Sequence, residues 1–180
     1  MIYIHTALKS EAQAFVDKFK LKKNEFNHFT IFSNENIILI ISGVGIINTN
    51  KSLKELINNF NISKDDVILN IGICGSNKKY KIGELIEIGN ISYKNNIYII
   101  DEEINTTITC LENECNQNIY EIVDMESFAF YEQTKSLNNV RMFKVVSDHF
   151  EPSTITKDKT KSLIFNKLGE IIEKSNYNWS

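Results

Sequence analysis

Apolar residues fall along the chain in two alternating kinds of pattern. Short runs rich in Ile and Val, residues that suit a pleated and half-buried surface, predict strands at 1–5, 28–33, 36–42, 66–71, 84–92, 96–101, 119–124 and 140–147. Between them, apolar residues at helical spacing predict helices over 9–20, 46–60, 126–137 and 157–175. In the first helix Ala12, Phe15, Val16 and Phe19 form one stripe, with Glu11 in the first turn. In the last, Leu163, Ile164, Leu168, Ile171 and Ile172 share a side. Strands that alternate with helices predict a three-layer α/β fold. The runs 28–33 and 36–42 meet through Ser33-Asn34-Glu35-Asn36, which predicts a hairpin. The central sheet is therefore expected to be mixed and twisted, with helices on both faces.

The 180 residues suit a single domain, 1–180. A chain of this length buries about 70% of its unfolded surface, so it needs neither metal nor disulfide to hold a core. Hydrophobic residues at 42% and charged residues at 24% exclude a disordered chain, a collagen-like repeat and a membrane bundle. The net charge of −3, with lysines dispersed and Arg141 the only arginine, gives no basic stripe for nucleic acid. The longest apolar stretch, Ile37 to Ile41, is too short to span a bilayer. The chain enters Ile2-Tyr3-Ile4 directly, so no membrane partner and a cytoplasmic location are expected. Cys74, Cys110 and Cys115 are odd in number and at no metal-like spacing, and read as free thiols. Neither metal nor cofactor is expected.

Chemistry in an α/β sheet gathers where strands end. Four such segments stand out. Ala7-Leu8-Lys9-Ser10-Glu11 follows the first strand and puts Glu11 at a helix start, where a carboxylate also complements the helix dipole. Ser42-Gly43-Val44-Gly45 offers a tight turn and close ligand approach, without the third glycine of a dinucleotide fingerprint. Asn70-Ile71-Gly72-Ile73-Cys74-Gly75-Ser76 runs from an apolar strand into a glycine-spaced loop. No histidine is placed to activate Cys74, which reads as a small buried hydrophobe. Finally, Asp124-Met125-Glu126-Ser127 and Ser147-Asp148-His149 each put a carboxylate directly after a buried strand. Capping of the next helix is the alternative role for Asp124 and Glu126. Neighbours on a strand point to opposite faces, so Asp148 and His149 need not meet.

Taken in order with Ile82-Gly83-Glu84, these segments resemble the purine nucleoside phosphorylase and nucleosidase superfamily, most of all its methylthioadenosine/S-adenosylhomocysteine nucleosidase branch. Met125-Glu126 after one strand and Ser147-Asp148 after the next are the strongest elements, and the match runs over most of the chain. The resemblance implies catalytic roles for three carboxylates. Asp148 would act at purine N7, Glu126 would hold the ribose hydroxyls, and Glu11 would activate the attacking water. Met125 would pack on the sugar, with Ser147, Ala7, Gly72, Ile73, Val44 and Lys144 also at the substrate. An oxocarbenium-like transition state is stabilised by nearby carboxylates. A purine leaves readily only when protonated.

The resemblance also implies departures. The chain is shorter than typical members, the loss falling between about Tyr93 and Tyr120. Ile73 stands where the nucleosidase loop usually has Ser, and Lys144 where an arginine is expected. Phosphorylases of this superfamily ring their phosphate with arginines, whereas Arg141 lies at a strand start away from the glycine loops. Lys lacks the bidentate fork of Arg. Hydrolysis is therefore the leading expectation. A phosphate-dependent phosphorylase and a nucleoside-binding homologue without turnover are the alternatives. A homodimer is expected, through helix 46–60 and the segment around 97–111.

Overall fold

The structure is a computed structural model that describes residues 1–175 and Trp179. Eleven strands form one sheet. Its spine is parallel: β4 (Ile37–Ile41), β1 (Ile2–Thr6), β5 (Val67–Ser76) and β11 (Asn139–Asp148). All five residues of β1 and of β4 are buried, as expected for strands covered on both faces. The antiparallel hairpin β2 (Lys22–Phe26) and β3 (Phe29–Ser33) extends the sheet beyond β4. On the other flank β10 (Ile122–Asp124), β9 (Thr107–Cys110), β7 (Asn90–Tyr93) and β8 (Asn96–Ile99) follow from β5, while β6 (Leu85–Glu87) pairs with β11.

Helices α1 (Lys9–Phe19) and α4 (Lys157–Lys174) pack together on one face, and α2 (Ile46–Asn59) and α3 (Ser127–Thr134) on the other. Strand alternation divides the core accordingly. Ile2, Ile4, Leu39, Leu69, Phe143 and Val145 meet Phe15 and Ile164 on the first face. Tyr3, Ile40, Ile68, Met142 and Val146 meet Leu53, Leu56 and Phe130 on the second. The predicted three-layer mixed architecture holds, as do all four helices and the hairpin at 33–36.

Three expectations need correction. Strand β2 is exposed and polar, so no apolar run announced it. The run 84–92 is broken into β6 and β7 around Gly89, where a Cβ would lie 1.9 Å from the Ile104 carbonyl oxygen. The run 119–124 is a strand only over Ile122–Asp124, and Thr107–Cys110 supplies its parallel partner instead.

Two irregularities of β5 and β11 shape the cleft. One edge of β5 pairs with β1 at residues 67–70 and with β10 at 75–76, so residues 71–74 have no strand on that edge. In β11 the register to β5 slips between Val146 and Asp148, a bulge centred on Ser147. Bulges re-aim side chains next to functional sites, and this one stands where the strand delivers Asp148.

Candidate active site

A cleft of about 300 Å³ opens at the ends of β1, β4, β5, β10 and β11. Glu11, Glu126 and Asp148 all line it, with Ala7, Val44, Ile73, Met125 and Ser147. Gly72 and Lys144 do not line it; they stand behind its wall. The glycine is needed there, because a Cβ on Gly72 would lie 2.9 Å from Glu11 Oε1 and 3.5 Å from Lys144 Nζ.

Glu11 is held through the gap in the sheet. The Ile73 N–H, without a strand partner, donates to Glu11 Oε1 at 2.9 Å. The N–H groups of Ala7 and Leu8 donate to Oε2 at 3.0 and 2.8 Å. Leu8 is the N-cap of α1, so the helix-capping role and placement in the cleft belong to one carboxylate. Burial raises the Glu11 pKa, against the lowering pull of the Ile73, Leu8 and Ala7 N–H groups and of Lys144.

Glu126 enters from the N-cap of α3, yet it caps nothing there. Its Oε1 accepts from Gly45 N–H at 2.8 Å, and Gly45 sits at φ 94°, a conformation that favours glycine. The second oxygen has no protein donor among the described residues. Burial, reinforced by the negative charge of Asp124, pushes the Glu126 carboxyl up to about 7. The helix cap is Asp124 instead: Ser127 N–H and Oγ–H donate to it at 3.0 and 2.6 Å.

Asp124 is also the partner of Lys144, with Nζ–Oδ2 at 2.8 Å and side chains only 0% and 2% exposed. Burial pulls the Lys144 ammonium down, but Asp124, Glu126 and Glu11 together outweigh it and hold the amine protonated. Sequence reasoning gave Lys144 a contact with substrate; the structure makes it the counter-ion beneath the cleft. No sequence pattern announced the Lys144–Asp124 pair.

Asp148 is fixed at both oxygens. Glu151 N–H donates to Oδ1 at 2.8 Å, and Ser147 Oγ lies 2.7 Å from Oδ2. The same hydroxyl lies 3.0 Å from the Cys74 carbonyl oxygen. One hydroxyl proton serves one acceptor at a time. When Ser147 donates to the Cys74 carbonyl, its own oxygen is free to accept a hydrogen bond. His149 takes no part, since its Nδ1 lies 3.1 Å from the Ser76 carbonyl oxygen. Burial raises the Cys74 thiol well above its usual range, in keeping with an inert wall residue.

The remaining wall lies mostly outside the sequence motifs. Leu8, Leu111, Asn113, Glu114, Cys115, Pro152 and Ile155 complete it. The segment after β9 is anchored by Leu111 N–H to the Asp124 carbonyl at 2.8 Å. Among the described residues, no Lys, Arg or His lines the cleft. Arg141 lies at the far end of β11, paired with Glu87 at 2.9 Å. The motif Ile82-Gly83-Glu84 is also outside the cleft: Gly83 N–H and the Glu84 carbonyl bind Val146, docking the turn before β6. No group of three or more metal-ligating side chains occurs among the described residues, and no described helix is long and apolar enough to cross a membrane.

No protein-family model matches the sequence, and no curated protein matches it. Solved structures do. The 5'-methylthioadenosine/S-adenosylhomocysteine nucleosidase of Campylobacter jejuni aligns over 96% of both chains at TM-score 0.79 and 16% identity. That of Neisseria meningitidis, solved with methylthio-immucillin-A, aligns over 96% of this chain and 98% of its own at TM-score 0.77 and 15% identity. Futalosine hydrolase of Helicobacter pylori aligns over 96% and 97% at TM-score 0.77 and 14% identity. The chain thus has the three-layer α/β fold shared by the methylthioadenosine/S-adenosylhomocysteine nucleosidases and futalosine hydrolase.

Proposed function

We propose that this chain hydrolyses the N-glycosidic bond of a purine nucleoside of the 5'-methylthioadenosine/S-adenosylhomocysteine kind. The observation that carries this reading is the meeting of Glu11, Glu126 and Asp148 in one cleft that no cation lines among the described residues. Such a cleft favours a cationic transition state and opposes an anionic nucleophile.

The reaction balances as follows. Neutral Asp148 donates its proton to N7 as the C1'–N9 bond breaks, so the bonding pair leaves with a neutral purine. Ser147 then turns its hydroxyl proton from Cys74 to the new carboxylate. Glu126, one oxygen bound to Gly45, accepts from ribose hydroxyls with the other. Water adds to C1' and loses a proton to Glu11, whose raised pKa makes it a competent base. General acid and general base are thus different carboxylates, as in inverting glycoside hydrolysis. Glu11 would lie against the nucleophile, which disfavours phosphate in its place.

The test is release of free base from a panel of purine nucleosides, with and without phosphate. Release independent of phosphate is expected. Release only with phosphate overturns hydrolysis in favour of a phosphorylase, and tight binding without release indicates a non-catalytic binder.

We also propose a homodimer. Exposed Ile47 and Val44 at the start of α2, and Ile97 and Ile99 on β8, are apolar surface that a second copy would cover.

A further inference from the structure

Among the described residues Glu126 is held by a single protein group, the Gly45 N–H, at 2.8 Å from Oε1. That N–H belongs to the Val44–Gly45 peptide, whose carbonyl points the opposite way across the same plane. Turning the plane over would exchange the two groups and present Glu126 with an oxygen. The backbone does not prevent this. The turn needs rotation about Val44 ψ and Gly45 φ, and glycine is tolerant of either sign of φ. Gly45 stands at φ 94°.

A side chain supplies the restraint. Asn48, in the first turn of α2, donates from Nδ2 to the Val44 carbonyl at 2.8 Å. Only the NH2 end of an amide can donate to a carbonyl oxygen, which fixes how the side chain is turned. The peptide is thus pinned at both edges, by Asn48 on one and by Glu126 on the other. Backbone bonding of α2 begins one residue later, with Thr49 N–H to the Gly45 carbonyl at 3.1 Å. The preceding carbonyl has its own donor: Ser42 Oγ lies 2.6 Å from the Gly43 oxygen, and His5 Nε2 lies 2.9 Å from that hydroxyl. Asn48 therefore restrains one peptide, the one that faces Glu126. We propose that Asn48 is a positioning residue for Glu126, holding the Val44–Gly45 peptide so that its N–H fixes one carboxylate oxygen and leaves the other for the ribose. The inference rests on the proposed role of Glu126 at the sugar. Burial, Asp124 and Glu11 raise the Glu126 pKa, while Lys144 and the Gly45 N–H lower it. Releasing that N–H should raise it further.

The experiment compares the wild type with Asn48→Ala and Asn48→Asp. Asn48 is exposed, so neither change touches the core. Asp keeps the shape of Asn without a proton to donate, and Ala removes the donor without adding charge. A carboxylate in the first turn complements the helix dipole, so a loss in Asn48→Asp would not come from a weakened helix. Calorimetry gives dissociation constants for free adenine and for 9-deazaadenosine, whose C–C glycosidic bond resists hydrolysis. Carbon-13 NMR follows the Glu126 carboxyl through its titration in the ligand-free protein. Both variants should bind 9-deazaadenosine about tenfold more weakly, the scale of one hydrogen bond to a charged group, and adenine as the wild type does. The Glu126 midpoint should move up from about 7 in both. Nucleoside affinity within twofold of wild type, with the midpoint unmoved, overturns the role of Asn48. So does an equal loss for adenine and the nucleoside, which marks a general disturbance of the cleft. A midpoint that rises in both variants of a protein that binds no nucleoside supports Asn48 while sinking the reading of Glu126 as the ribose holder.

Discussion

The Ser147 hydroxyl stands 2.7 Å from Asp148 Oδ2 and 3.0 Å from the Cys74 carbonyl oxygen, at the bulge where β11 slips register against β5. This gives one hydroxyl two settings, donating either to the Asp148 carboxylate or to the Cys74 carbonyl. Asp148→Asn should cut kcat by about 10²–10⁴ while a ribose-bearing inhibitor still binds. Ser147→Ala should lower kcat with little change in KM. Base release within a few-fold of wild type in Asp148→Asn would remove Asp148 from the role of acid.

The Glu126 carboxyl carries its own pH dependence. Its folded pKa, about 7, lies above the ordinary 4.5, so the folded chain holds a proton that the unfolded chain has lost. Its contribution to stability is therefore complete below about pH 4.5 and declines as pH rises through 7. Ribose hydroxyls donate best to the ionised form, so inhibitor binding should strengthen over the window in which stability declines. Glu126→Gln should flatten both trends, read by chemical denaturation and calorimetry between pH 5 and 8.

Lys144→Met should be costly. It removes the cation but leaves Asp124 with a side chain that is 0% exposed. Breaking one partner from a buried pair costs about 3–5 kcal/mol, which denaturant titration would register. Lys144→Arg should recover much of this. A Lys144→Met protein as stable as wild type would show that the pair is not the counter-ion system described above.

Gly72→Ala should leave the fold intact and disturb one carboxylate. The added methyl would stand 2.9 Å from Glu11 Oε1, closer than such contacts occur. The expected result is a fall in kcat, KM little changed and a small loss of thermal stability. Unchanged turnover would mean that the seat of Glu11 is immaterial to the reaction.

Sedimentation at micromolar concentration should return a dimer. Ile47→Asp, at a side chain 70% exposed, should shift it toward monomer without unfolding the subunit. A wild-type monomer under those conditions contradicts the dimer.

The fold could be read wherever burial was two-sided. Ile37–Ile41 and Val67–Ile71 are strands because almost every residue is apolar, and α1, α2 and α4 because their stripes are regular. Strand β2 escaped because Lys22, Lys23, Asn24 and Glu25 carry no buried face. Strand β9 is four residues long, too short to show alternation. At the site, the carboxylates were legible because each follows a buried strand. What stayed hidden was pairing across the sequence: Lys144 to Asp124, Gly45 to Glu126 and Ile73 to Glu11. These contacts depend on which strands lie adjacent, which composition and spacing do not encode. The Asn113–Cys115 wall was likewise unmarked, since a polar loop reads as solvent-facing until the cleft beside it is known.

The interrupted edge of β5 makes Glu11 a structural plug as well as the proposed base. Active-site residues are often dispensable to the fold, so replacing them tends to trade activity for stability. Here the trade is closed. Removing the Glu11 carboxylate would take the acceptor from the N–H groups of Ala7, Leu8 and Ile73 together, and backbone donors are rarely left unpaired in folded proteins. The Ile73 amide therefore becomes a reporter: its hydrogen-exchange protection should rise and fall with the seating of Glu11, in the absence of any ligand. Drift at this position would be penalised through folding before it was penalised through chemistry.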